Sequence, residues 1–143
     1  MREGGIVLAR NRLNITWEDT SMGFVDAVKN GFANYANANG RACRSEFWYW
    51  TLFNFIVQLI ATLIVRATDM SFISLVAVLA LTFPSVCVGI RRLHDIGMSG
   101  WFYLISFIPL VGTILMIVWG VRDSQPGTNQ YGPNPKEGFG GMY

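Results

Sequence analysis

The chain has 143 residues, 52% hydrophobic and 14% aromatic, but only 14% charged, where soluble domains carry about 25% charge. A mean hydropathy of +0.35 and a net charge of +2 exclude a disordered chain and a nucleic-acid-binding surface. Cys43 and Cys87 lie too far apart for a zinc or redox motif, and the length allows one domain.

Residues 1–21 contain no continuous apolar run of the signal-peptide kind. Trp17-Glu18-Asp19 is encoded TGG-GAR-GAY, which with a GAG codon contains GGAGG. That core ends roughly eight nucleotides before the Met22 codon, a ribosome-binding spacing; such a stretch stands outside fold reasoning. Translation is therefore expected to start at Met22, with residues 1–21 a non-native or disordered extension.

Next, Phe24, Val28, Phe32 and Tyr35 recur at helical spacing with Asp26, Lys29, Asn30 and Asn34 between them. The pattern predicts a short amphipathic helix that lies on the membrane surface, or packs on the protein's own spans, or both. Arg41 and Arg44 follow, at headgroup depth. Ser45 is expected to cap the next helix, and Glu46 suits its positive end.

Three stretches then lack Asp, Glu, Lys, Arg and His: 47–65, 70–90 and 101–121, of 19, 21 and 21 residues. A transmembrane helix needs about 20 apolar residues. Three such runs leave no amphipathic helices to cover them in a soluble fold. The fold class expected is all-α: a polytopic integral membrane protein, three transmembrane helices preceded by the interfacial helix. Residues 22–135 make one membrane domain, and 136–143 are a flexible tail.

Three spans place the termini on opposite sides. Arg2, Arg10, Arg12, Lys29, Arg41, Arg44, Arg91 and Arg92 then oppose Arg66, Arg122 and Lys136, eight cations against three. The positive-inside rule predicts a cytoplasmic N-terminus and an outer C-terminus. Trp48, Tyr49, Trp50, Trp101 and Tyr103 would form a cytoplasmic aromatic belt and Trp119 an outer one. In the outer segment Tyr131 would anchor the turn-rich tail to the interface.

Two sets of residues are candidate sites. The first is cytoplasmic: Arg41, Arg44 and Glu46, with Arg91, Arg92, His94 and Asp95 of the next loop. Glu46 with Arg91 or Arg92, and Asp95 with Arg44, would pair across the loops; the group could also bind an anionic headgroup or phosphate. His94 beside Asp95 does not make a base and its orienter, no nucleophile is identifiable, and a lone His is a poor metal site. No catalytic, cofactor or metal site is expected. The second set is Thr51, Asn54, Gln58 and Thr62, on one face of the first span. Amides are costly against lipid, so this face should meet another helix or line a polar path. No ionisable group lies within the spans, which argues against proton-coupled transport. Pro84 should free a backbone carbonyl for a neighbour to satisfy, and Pro109 with Gly112 should bend the third span.

Gly40-Arg41-Ala42-Cys43-Arg44-Ser45-Glu46-Phe47-Trp48 and Arg91-Arg92-Leu93-His94-Asp95, with Gly97, Ser99, Gly100 and Trp101, resemble the two signature segments of DUF805, a family of bacterial inner-membrane proteins. Ile108-Pro109-Leu110-Val111-Gly112 and Asn129 to Pro135 resemble its later landmarks, so the likeness runs from about Gly23 to Pro135. Cys43 and Met98 depart from the family's usual Ser and polar residue. The resemblance implies an inner-membrane protein with three or four spans and no defined activity. The function expected is that of a non-enzymatic interaction or accessory subunit, or an envelope scaffold. The alternatives are a small oligomeric transporter or channel with Asn54, Gln58 and Thr62 on its path, and an enzyme acting on headgroups through His94 and Asp95. The partners expected are the bilayer and its anionic headgroups, with a membrane protein or a second copy also possible.

Overall fold

The computed structural model describes residues 22–136. The expectations for residues 1–21 and 137–143 lie outside the described residues. In chain order the elements are α1 (Phe24–Ala33), α2 (Arg44–Thr68), α3 (Phe72–Asp95), a 3₁₀ arm (Gly100–Phe107) and α4 (Val111–Val121). The all-α expectation holds: no named strand occurs among the described residues, whose one isolated bridge joins Asn129 and Gly132.

Helices α2 and α3, of 25 and 24 residues, are the long pair. At 1.5 Å per residue each is about 36 Å long, enough to cross an apolar core of about 30 Å. Helix α2 outruns its charge-free stretch at both ends and α3 at its C-terminal end; at the end they share, Glu46 and Arg91 pair with one another instead of stopping the helices. A three-residue turn joins them at the far end, with Asp69 left-handed at φ 54°. Inside α3, Pro84 offers no N–H to Ala80, and the Tyr35 hydroxyl donates to the Ala80 carbonyl instead.

The stretch 101–121 does not form the expected third span. Gly100–Phe107 is a 3₁₀ helix, Pro109–Val111 is a tight turn, and α4 has only 11 residues. Leu110 sits at φ 65°, ψ −59°, and the Val111 N–H reaches the Pro109 carbonyl at 2.8 Å, a γ-turn of the rare, strained form. The arms are nearly equal, about 16 Å each at 2.0 and 1.5 Å per residue. They return the chain to the end it left. Gly100 lies against Ile90 and His94, while the Trp119 and Gly120 carbonyls accept from Arg92. The charge-free length is shared by a span and a hairpin, so it could not tell them apart.

Three details make the hairpin possible. Gly112 brings the arms into backbone contact: a Cβ there would lie 2.4 Å from the Ile105 carbonyl oxygen and 2.6 Å from Ser106 Cα. Pro109 removes one N–H from the tip. The N–H groups of Ile108, Val111 and Gly112 bond to the carbonyls of Ile105, Pro109 and Ile108. Backbone groups at membrane depth need such internal partners.

Helix α1 packs on α2 and α3, the second of its two expected placements. Ala27 and Gly31 are its buried residues, and Trp50 occupies the space a side chain at Gly31 would need. Phe24 meets Tyr49 edge-on, and Phe32 meets Trp50 and Phe53. The small residues thus face inward, and Val25, Phe32 and Tyr35 stay exposed.

Candidate functional site

At the end shared by the start of α2, the end of α3 and both ends of the hairpin lies a buried cluster of charge. Asp95 is its hub. Arg41 Nε lies 3.0 Å from Oδ1, Arg92 Nη1 lies 2.5 Å from Oδ2, and the Ser124 hydroxyl donates to Oδ2 at 2.6 Å. Beside it, Arg91 Nη2 stands 2.9 Å from Glu46 Oε1, which also accepts from Asn30 Nδ2 of α1 at 2.8 Å. Arg41, Glu46, Arg91, Arg92 and Asp95 are all buried.

Three guanidiniums here face two carboxylates, so the cluster holds one excess positive charge. The backbone offsets it. Arg92 donates to the carbonyls of Trp119, Gly120 and Arg122 at the end of α4. Arg41 donates to those of Asp95, Gln125, Gly127 and Gly132. Helix C-termini leave carbonyls unpaired and carry partial negative charge, so α3 and α4 both point their favourable ends at the arginines. Arg91 Nε and Nη2 and Arg92 Nε are buried with no hydrogen-bond partner among the described residues, so Arg91 holds Glu46 as an ion pair by proximity and not by an aligned hydrogen bond.

The segment after α4 straps this end closed. The Gln125 N–H bonds to the Asp95 carbonyl at 2.9 Å, and Asn129 Nδ2 to the His94 carbonyl at 2.9 Å. Tyr131 stacks on His94, centroids 3.8 Å apart and planes 6° apart. Asp123 pairs with Lys136 and Arg44 at the surface. The Lys136 ammonium, helped by the Ser124 N–H, holds the Asp123 carboxyl below its ordinary value.

The expected pairing of Glu46 with Arg91 is present. That of Asp95 with Arg44 is not: Arg44 is the first residue of α2, and its exposed side chain reaches the Val121 carbonyl and Asp123. Arg41, three residues earlier, turns inward instead. The cap is Cys43, so Ser45 lies within the first turn. Tyr131 holds the strap through its stack on His94. Trp119 stands at the cluster end, near Arg92, and not at the opposite one. Trp50, expected in an interfacial belt, is 2% exposed and donates to the Ser85 hydroxyl. With Arg41, Arg91 and Arg92 buried and committed, Arg44 is the cationic member of the candidate set left open to a headgroup.

The second candidate set divides. Asn54 and Gln58 are half-buried and face α3, where they share a cavity of about 240 Å³ with Thr82, Ser85, Tyr103 and Phe107. Ser85 lies between the two helices: its hydroxyl accepts from Trp50 Nε1, donates to the Leu81 carbonyl at 2.6 Å and stands 3.2 Å from Asn54 Oδ1. Thr51 and Thr62 are exposed, and each hydroxyl donates to the carbonyl four residues back, Phe47 and Gln58. That satisfies a hydroxyl without a neighbouring helix. Among the described residues no group of three or more His, Cys, Asp or Glu could hold a metal ion.

Residues 35–133 match the family described as Protein of unknown function (DUF805). The chain belongs to the DUF805 family. It is 36% identical over 107 residues to Inner membrane protein YhaI of Escherichia coli (strain K12), covering 73% of this chain and 91% of the relative. It is 33% identical over 109 residues to Inner membrane protein YhaH of the same strain, covering 72% and 90%. No solved structure matches the chain. The DUF805 match takes in the whole charge cluster except Asn30, together with the hairpin and the strap as far as residue 133; α1 precedes it and Lys136 follows it.

Proposed function

We propose that this DUF805 protein is a non-enzymatic inner-membrane interaction subunit or scaffold, with α2 and α3 crossing the bilayer and the hairpin re-entering from the cytoplasmic side. The observation that carries the role is the surface of α2: of its 25 residues, Glu46, Trp50 and Ala61 alone are buried. The outer faces of α2 and α3 are broad and apolar, suited to lipid or to another spanning helix. The buried carboxylates Glu46 and Asp95 are, in contrast, each paired with arginine inside the fold.

The hairpin also supports a revised orientation. Arg122 and Lys136 share the cluster end with Lys29, Arg41, Arg44, Arg91 and Arg92, leaving Arg66 at the other. In residues 22–136 the cations divide seven against one. By the positive-inside rule the cluster end, with both flanking segments, is cytoplasmic.

The polar cavity at Asn54 and Gln58 favours one other reading, an oligomeric pore. Native mass spectrometry of the protein gently extracted from its own membrane separates the two. A stoichiometric protein partner, lost on Phe55→Ala or Leu63→Ala at the exposed face of α2 but kept on Asn54→Leu or Gln58→Leu, supports the interaction subunit. A homo-oligomer whose ion or solute flux falls in those variants while assembly persists contradicts it.

A further inference from the structure

A second cavity, of about 590 Å³, opens between α3, the 3₁₀ arm and Tyr131, within the 300–1,000 Å³ usual for small-ligand sites. Its two ends differ in chemistry. His94, Ser99 and Tyr131 form the end beside the charge cluster, and Val86, Leu104 and Phe107 form the other. Val86 precedes His94 by eight residues of α3, about 12 Å along the axis. The cavity therefore runs from a polar mouth toward the apolar middle of the helix pair. Trp101, Leu104 and Phe107 are exposed along its side, so a molecule can enter from the bilayer.

The polar end specifies the head. His94 Nδ1 lies 3.1 Å from the Gly40 carbonyl. A carbonyl only accepts, so in the neutral ring Nδ1 carries the proton and Nε2 is an acceptor. Nε2 lies beside Gly100, a lining residue: a Cβ there would be 3.1 Å from it. The nearby Ser99 hydroxyl both donates and accepts. Among the described residues no Lys, Arg, Asp or Glu lines the cavity, and the buried arginines of the cluster lie outside its lining. A phosphate would lose its hydration here without gaining a cation.

We infer that this cleft binds a membrane lipid whose head is an uncharged hydroxyl, of the diacylglycerol kind. The hydroxyl donates to His94 Nε2, and an acyl chain lies along Val86, Leu104 and Phe107. The inference rests on the membrane placement proposed above, with the hairpin in the bilayer, and adds a ligand to it.

The full chain in phosphatidylcholine bilayers is exposed to three photoactivatable probes with the same diazirine-bearing acyl chain: diacylglycerol, phosphatidic acid and phosphatidylcholine. Diacylglycerol should label the segment holding Leu104 and Phe107 about fivefold more than phosphatidylcholine does, the change one net hydrogen bond makes. Unlabelled dioleoylglycerol should compete. Leu104→Trp, at an exposed position, should remove the excess by filling the cleft. His94→Asn should also remove it, since its amide still donates toward Gly40 but offers no Nε2 acceptor. Equal labelling by all three probes, a preference for phosphatidic acid, or a chain-to-chain crosslink through the cleft in place of lipid would each overturn the inference. If His94→Asn does not fold, Leu104→Trp decides.

Discussion

Gly112→Ala changes the stability of this protein in opposite directions depending on the path of the 101–121 stretch. In a straight helix, glycine to alanine stabilises by about 0.5–1 kcal/mol, because alanine loses less backbone freedom. In the hairpin, the added Cβ falls 2.4 Å from the Ile105 oxygen and 2.6 Å from Ser106 Cα, where ordinary contact begins at 3.4 Å. The arms must part by about 1 Å, and both atoms are backbone, so no rotamer relieves the clash. Overpacking costs about 1–3 kcal/mol, and the rigidity of this contact places it near the upper figure. Parting the arms also strains the Arg92 bonds to Trp119 and Gly120. Thermal unfolding of the purified protein in a mild detergent should show a fall on the order of 10 °C. Leu110→Gly is the control. It relieves the positive φ and should unfold no earlier than the parent. A Gly112→Ala protein that melts at or above the parent temperature would refute the hairpin reasoning.

Asp95→Asn leaves Arg41 and Arg92 buried without their carboxylate and should cost about 3–5 kcal/mol, visible as loss of monodisperse protein on extraction. Arg41→Ala and Arg44→Ala should differ sharply in the same assay: the first breaks the buried hub, and the second removes an exposed pair of at most about 1 kcal/mol. Equal effects would mean that the two arginines are not divided between interior and surface. Tyr35→Phe abandons the Ala80 carbonyl and should lower stability by about 1–3 kcal/mol. Adding Pro84→Ala returns an N–H four residues on and should recover most of that loss; no recovery would show that Tyr35 acts in another way.

Much of this arrangement was legible in the residues. The charge-free runs gave α2 and α3, helical spacing gave α1, and the missing N–H of Pro84 required a donor that Tyr35 supplies. Glu46 and Arg91 could be paired because both flank spans on one face. Other features had no local signal. A 21-residue apolar run is satisfied equally by one span or by two arms, and Pro109 with Gly112 signals a bend without its angle. Arg41 and Arg44 are chemically alike, and the start of α2 between them decides which turns inward. The strap over His94 is a contact between residues far apart in sequence, made by a segment whose composition indicates only turns.

The central claim is that the chain returns to the face it started from. Thr128→Cys and Ser71→Cys, both at exposed positions, test it in intact spheroplasts with a membrane-impermeant maleimide; the native Cys43 and Cys87 are buried. The hairpin predicts that Ser71→Cys is labelled from outside and that Thr128→Cys is labelled only after the membrane is opened. Labelling of both from outside would contradict it and restore a third complete span.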